Sequence, residues 1–324
     1  MKLVTYIRAS EWWEYKFTPV LMVVYLLFIQ LDLSFPTSCW LFIFILLSLV
    51  PGGIFVSVLN DLTDLKMDEK AGKVNRMQKL GRLKRSIFLL LPFIVGLGIS
   101  WYIRTEPLAM FSYLLCGFSF VLYSVKPFRL KEKGIWGILA DAFGSQVFPS
   151  LYATFLVLGS TGHEISNTQI ILIVIWAACF GLRGILWHQF HDLENDIKSG
   201  ISTFAQNLSD RKSTIAGYVL MTFEIIALAG ITMFSGQYWC FISLFLYWGY
   251  LLMRRWKFYT EIIPFRYTRP DYCLFMNEYY QIFLPVTLLI LLSVHQPIFS
   301  ILLLTHLLLF PVGILQIGKM ILSK

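Results

Sequence analysis

The chain has 324 residues, of which 57% are hydrophobic, 17% aromatic and only 14% charged, with a formal net charge of +8. A soluble domain carries about 25% charged residues, so this composition excludes a water-exposed globular surface; the mean hydropathy of +0.68 agrees. The positive charge sits in short loops beside apolar blocks, which is a topology pattern, and no DNA- or RNA-binding motif accompanies it, which argues against a nucleic-acid partner.

Apolar blocks of roughly 17–25 residues are what a bilayer core asks of a helix. The alternating polar and apolar residues of a membrane β-barrel are absent. The first block, 15–31, has Glu11 and Glu14 upstream and no small-residue cleavage site behind it, so it reads as a retained helix rather than a signal peptide. Further spans are predicted at 38–59, 86–103, 107–125, 135–158, 168–190, 213–234, 237–253, 277–294 and 297–318. Short turns bearing Pro, Gly or Asn separate them, for example Phe35-Pro36, Glu106-Pro107, Ser235-Gly236 and Gln296-Pro297. The five cysteines are scattered, without a CxxC pair, and read as packed free thiols.

The loops fall into two sets. Those at 60–85, 126–134, 192–212 and 254–270 hold nearly all the loop Lys and Arg; the alternate set holds only Arg104. The positive-inside rule places the basic set and both termini on the cytoplasmic side, which requires an even number of spans. A single membrane-embedded domain over 1–324 is expected, with a short interfacial helix in the longest loop, about 254–276.

Two acidic motifs close spans on that side. The first runs Asn60-Asp61-Leu62-Thr63-Asp64-Leu65-Lys66-Met67-Asp68. Asn60, Asp64 and Asp68 recur every fourth residue with Asp61 beside them, so one helix face presents three carboxylates and an amide within about 12 Å at 1.5 Å per residue. Such carboxylates repel unless a cation neutralises them. Magnesium suits, because it takes oxygen ligands and shares them with substrate phosphates. The second runs His188-Gln189-Phe190-His191-Asp192-Leu193-Glu194-Asn195-Asp196, with Asp192 and Asp196 one turn apart and His188 one turn earlier. A DxxxD alone is a weak signal; two acidic faces at matched depth suggest a facing pair around one diphosphate. The plain alternative is a solvated polar helix end.

In these residues the chain resembles the UbiA superfamily of intramembrane prenyltransferases, which includes UbiA-type terpene cyclases. Asn60, Asp61, Asp64 and Asp68 match the NDxxDxxxD motif without a mismatch. Asp192, Glu194 and Asp196 match the DxExD form of the second motif, with Gly200 and Ser202-Thr203 behind them. Tyr123-Ser124 followed by Pro127-Phe128-Arg129-Leu130-Lys131 is similar to the family's tyrosine-and-basic loop. The match covers the first six or seven spans; the last three agree only in hydropathy. Two departures stand out: the loop Ala71 to Gln78 lacks the family's prolines, and Tyr123 to Lys126 is one residue shorter than YxxxK. The resemblance implies an all-α, up-and-down bundle of nine to ten helices around a central cavity, with Mg2+ and a prenyl diphosphate at its cytoplasmic mouth.

On that reading Asn60, Asp61, Asp64, Asp68, Asp192 and Asp196 hold metal. Asp61, Asp64, Asp192 and His188 carry catalysis, His188 as a base, a diphosphate donor or a cap on the acidic face. Lys16, Asn60, Lys73, Arg76, Lys126 and Arg129 bind diphosphate, the cations stabilising charge on the leaving group. Inside the spans, Asp141 and Arg183 lie at similar depth and are candidates for an ion pair or else for a role in the pocket, while Glu224, Asn277, Glu278 and Gln281 are candidates to face the cavity. Transfer to a hydrophobic or aromatic acceptor is the first reading. A terpene cyclase needs no acceptor and is the second. An ion-coupled transporter is the third, disfavoured because the acids cluster at helix ends on one side.

Overall fold

The computed structural model describes residues 6–70, 72–198 and 203–322. The chain runs up and down as helices α1 (Ala9–Gln30), α2 (Phe35–Lys70), α3 (Arg82–Tyr102), α4 (Pro107–Ser124), α5 (Ile135–Thr161) and α6 (Asn167–His191). A short α7 (Leu193–Lys198) follows, then α8 (Asp210–Phe234), α9 (Cys240–Phe258), α10 (Tyr279–His295), α11 (Pro297–Leu309) and α12 (Pro311–Leu322). Seven of the described helices, α1 to α6 and α8, are long and apolar enough to cross a membrane.

Position in the bundle follows from how many faces each helix can bury. Every residue of α1 from Phe17 to Phe28 is buried, as expected for a helix that is hydrophobic all round. Helix α3 is its opposite: only 11% of its apolar window is buried, and Ile87, Leu90, Leu91 and Ile94 face outward. In water such a surface would be an aggregation patch; in a bilayer it is the lipid-facing wall.

Two helices contain a π-turn, Phe143–Val147 in α5 and Tyr279–Phe283 in α10. Each lies two residues before a proline, Pro149 and Pro285. Proline lacks an N–H and its ring clashes with the carbonyl four residues back, so the preceding turn widens. Helices α5 and α6 meet closely at Gly181, where a Cβ would lie 2.9 Å from the Ala142 carbonyl oxygen.

The structure corrects three expectations. The predicted tenth span is not one straight crossing: α11 and α12 meet at 78°. Pro311 starts the new helix, and its first free N–H groups, Val312 and Gly313, donate to the Glu14 carboxylate at 2.7 and 2.9 Å, as a helix start requires. Trp13 Nε1 donates to the Leu309 carbonyl at 2.7 Å, so the bend lies at the level of the first turns of α1. The loop after α9 is not an interfacial helix. It is a two-stranded parallel ladder, β1 (Glu261–Ile263) with β2 (Tyr272–Leu274), because β-branched Ile262 and Ile263, with Pro264 and Pro270, disfavour helix. Finally, Arg183 pairs with Glu224 on α8 and not with Asp141.

That pair is fully buried and fully hydrogen-bonded. Arg183 donates to both Glu224 oxygens at 2.7 and 2.8 Å, and to the carbonyls of Pro264 and Phe275 at 2.6 and 2.9 Å. One guanidinium thus ties α6, α8 and the β-ladder segment together. Glu278 in turn accepts from Arg254 at 2.6 Å. Neither acid, nor Asn277 or Gln281, lines the main cavity.

Candidate active site

A cavity of about 660 Å³ lies between α1 and α6, walled mainly by Phe, Leu, Val, Gly and Pro. Its polar end is framed by Arg8, Glu11, Asn60, Ser124 and His188. Both acidic motifs reach that end, because α2 extends to Lys70 and α6 to His191.

The first motif does not present all four acceptors to one partner. Asn60 and Asp64 share a cationic neighbour: Lys131 Nζ donates to Asp64 Oδ1 and Oδ2 at 2.5 and 2.6 Å and to Asn60 Oδ1 at 3.1 Å. Arg129 donates to Asp64 at 2.9 Å and to Glu132 at 2.5 Å. Arg129 holds a left-handed backbone, φ 36°, a conformation that costs on the order of 1–3 kcal/mol and persists only where the surroundings enforce it. Asp61 turns toward the N-terminal segment, where Arg8 donates to it at 3.1 Å and is also bonded to Glu11. Asp68 accepts from Asn75 Nδ2 at 2.7 Å, and the same amide holds the Asp61 carbonyl at 2.7 Å.

In the second motif α6 ends at His191 and Asp192 is its cap, so Asp196 sits on α7. His188 Nδ1 lies 3.5 Å from Asp192 Oδ2. Asp196 is within electrostatic range of Asp192, Lys73, Lys131 and Asp64, which brings the two motifs face to face. Burial first, and then the Asp192 charge, push the Asp196 carboxyl up to about 6, against the pull of Lys73 and Lys131. Burial likewise lowers the Lys131 ammonium below the ordinary lysine value, although Asp64 opposes it. Gly200 and Ser202 lie outside the described residues; Thr203 is buried.

Among the sequence-predicted cations, Arg129 bonds to Asp64, exposed Lys73 lies in electrostatic range of Asp196, and Lys16 lines the cavity. Arg76 instead donates to Glu11 at 2.8 Å. Lys126 is exposed, and the lysine on the acids is Lys131, five residues further on. The YxxxK spacing misled because the basic loop doubles back through a short 3-10 turn, Leu130–Glu132. Arg8, Asn75 and Lys131 were missed as site residues. The Arg129-Leu130-Lys131 run was the available signal for the last; nothing in the spacing pointed to the other two.

Magnesium fits these side chains. Asp61 Oδ2 is buried without a hydrogen-bond partner, an orphan that needs a partner, and every acid offered is a hard oxygen donor. Among the described residues no three His, Cys, Asp or Glu converge on one metal position. Magnesium does not demand such a cage, because it commonly takes one or two carboxylates and shares phosphate oxygens.

Fold and mouth together define a multi-pass integral membrane protein with an acid- and cation-rich mouth over an apolar, membrane-embedded cavity. The model of the UbiA prenyltransferase family matches residues 18–264. The chain belongs to the UbiA prenyltransferase family. It is similar to two solved structures of a UbiA homolog from Archaeoglobus fulgidus. One is bound to GPP and Mg2+: 14% identity, TM-score 0.56, 88% of this chain and 96% of that chain. The other is bound to DMAPP and Mg2+: 15% identity, TM-score 0.57, 89% and 96%. At that identity the likeness shows the fold alone. A curated relative, the probable chloroplastic homogentisate phytyltransferase 2 of Oryza sativa subsp. japonica, is 27% identical over 197 residues. That alignment covers 59% of this chain, and the chain spans about half, 51%, of the relative's length.

Proposed function

We propose that the protein is a magnesium-dependent intramembrane prenyltransferase that ionises a prenyl diphosphate and passes the prenyl group to a hydrophobic or aromatic acceptor. The observation that carries this reading is the juxtaposition of two acidic motifs and the Arg129–Lys131 pair with the open end of an apolar cavity. The A. fulgidus homolog's ligands and the rice relative's name support the same substrate class.

Each part has a task. Lys131 and Arg129, already held on Asp64, are placed to follow charge onto a leaving diphosphate, as fixed cationic donors do in a water-poor site. Asp61 and Asp64 on one side, with Asp192 and Asp196 on the other and Asn60 and Asp68 in support, would hold magnesium. When bound, the metal neutralises charge developing on the diphosphate. His188, oriented by Asp192, is a donor to the diphosphate at the mouth. Lys73 and Lys16 add positive field at the mouth and cavity wall. The hydrocarbon tail lies among Phe93, Phe111, Phe118 and Phe120, which keep water from the allylic cation and present π faces to it. The basic loops favour a cytoplasmic position for this mouth.

The test is an incubation of the purified full chain in detergent with prenyl diphosphates of several lengths and magnesium, with and without a lipid-soluble aromatic acceptor. Adduct formed only with acceptor supports the transferase. Cyclic hydrocarbon formed without acceptor would make the enzyme a terpene cyclase and overturn the reading. Asp64→Asn and Asp192→Asn should each abolish metal-dependent turnover; the thermal transition in detergent should stay unchanged in Asp192→Asn and fall in Asp64→Asn, which removes the carboxylate shared by buried Lys131 and Arg129.

A further inference from the structure

The cavity wall contains one charged group that the mouth does not use. Asp141, on the last α-helical turn of α5 before its π-turn, lines the cavity together with Ser145 and Tyr123. It accepts a hydrogen bond from Ser145 Oγ at 3.5 Å, and among the described residues no basic side chain lies within ion-pair distance of it, Arg183 being taken by Glu224. The cavity's other charged side chains are accounted for elsewhere. Arg8 and Glu11 pair with each other, Lys16 projects from the first turns of α1, and His188 belongs to the second motif. An unpaired carboxylate inside a membrane span is costly and tends to be kept for function.

Its placement says what it meets. Tyr123 lies in electrostatic range of Asp141 on one hand and of Asp64, Asp196 and Arg129 on the other. The next residue, Ser124, donates to Asn60 at 3.4 Å, and Asn60 accepts from the lysine on Asp64. Asp141 therefore lines the same cavity as Tyr123, Ser124, Asn60 and His188, on the wall that leads in from the acid- and cation-rich mouth. The wall there is held closely: a Cβ on Gly144 would lie 2.9 Å from the Phe120 ring. That contact presses the π-turn against α4 beside Asp141.

We propose that Asp141 is the general base of the transfer and that the acceptor is a lipid-soluble, uncharged molecule bearing a hydroxyl group. This rests on the transferase reading above. The C1–O bond of the donor breaks and its electron pair leaves on diphosphate. A lone pair of the acceptor oxygen forms the new C1–O bond. The hydroxyl proton passes to an Asp141 carboxylate oxygen and from there to water at the mouth.

The experiment uses the full chain in detergent with C15 and C20 prenyl diphosphates, magnesium, and three acceptors: a long-chain alcohol, an alkylphenol and the methyl ether of that phenol. Adduct and released diphosphate are measured together. Donor binding is followed separately, by thermal shift with the corresponding thiodiphosphate. The expected result is adduct with the hydroxyl acceptors and none with the ether. Asp141→Asn should lower adduct formation by about 10²–10⁴-fold, the usual worth of a general base, with the thiodiphosphate shift unchanged, and Asp141→Glu should recover part of the rate. Adduct formation by Asp141→Asn within a few-fold of wild type would overturn the base while leaving the transferase intact. Loss of the thiodiphosphate shift in Asp141→Asn would reassign the residue to donor binding and overturn it equally. Cyclic hydrocarbon from the wild type without acceptor, or no product of either kind, would overturn both.

Discussion

Lys131 and Lys126 offer a direct contest between spacing and geometry. The ammonium of Lys131 is buried and donates at 2.5, 2.6 and 3.1 Å to Asp64 and Asn60; Lys126 is exposed to solvent. Removing one preorganised donor from a site of this kind costs about 2.7–4 kcal/mol of transition-state stabilisation, or about 10²–10³-fold in kcat. Arg129 remains 2.9 Å from Asp64, so Lys131→Met should fall near the lower end of that range. An exposed lysine away from any cluster changes energies by only about 0.5 kcal/mol, roughly a factor of two, so Lys126→Met should be nearly silent. Lys131→Arg should restore little, because a planar fork does not replace a compact ammonium shared by three oxygens. The assay is the initial rate of diphosphate release at saturating magnesium and donor. A tenfold loss in Lys126→Met together with a Lys131→Met variant within twofold of wild type would refute the assignment of the cationic clamp.

Further outcomes follow from the buried pair and from the second motif. Glu224→Gln leaves the Arg183 charge buried with neutral acceptors alone, the amide oxygen and the Pro264 and Phe275 carbonyls, and should destabilise the protein by about 3–5 kcal/mol. This is read as a lowered thermal transition in detergent. The double variant Arg183→Met, Glu224→Leu should recover part of that loss but not all of it, because the two carbonyls lose their donor. With Asp196 as a magnesium ligand in the proposed site, protons compete with the metal for its carboxyl, which burial and the Asp192 charge push up to about 6. The acid is ionised above that pH and protonated below it, so metal-dependent turnover should decline as pH falls through about 6. Asp196→Asn should be slower at neutral pH and lack that limb; an unchanged acid limb in the variant would assign it to another group.

Much of this molecule was legible along one dimension. Bilayer thickness sets the length of an apolar block, and helical spacing sets which acids share a turn. The first seven spans, the basic-loop asymmetry and both acidic motifs could therefore be read from residue order, and the family followed from the motifs. The missing pieces depend on which distant groups meet. Asn60 and Asp64 turn to Lys131 while Asp61 turns to Arg8, because loops 8 and 131 arrive on different sides of α2; helical spacing gives a face but not its neighbours. Arg183 found Glu224 on α8 and not Asp141, since partner choice inside a membrane is decided by packing and by satisfying every donor, not by matched depth. That choice left Asp141 unpaired in the cavity. The bend at Phe310 was invisible to hydropathy, which scores α11 and α12 as continuous. A proline and a carboxylate some 300 residues away in sequence, Pro311 and Glu14, broke the helix and capped its second half. Residue order determined what chemistry the chain carries and at which depth. Only the tertiary structure decided which charge answers which, because an ion pair is a property of three-dimensional distance.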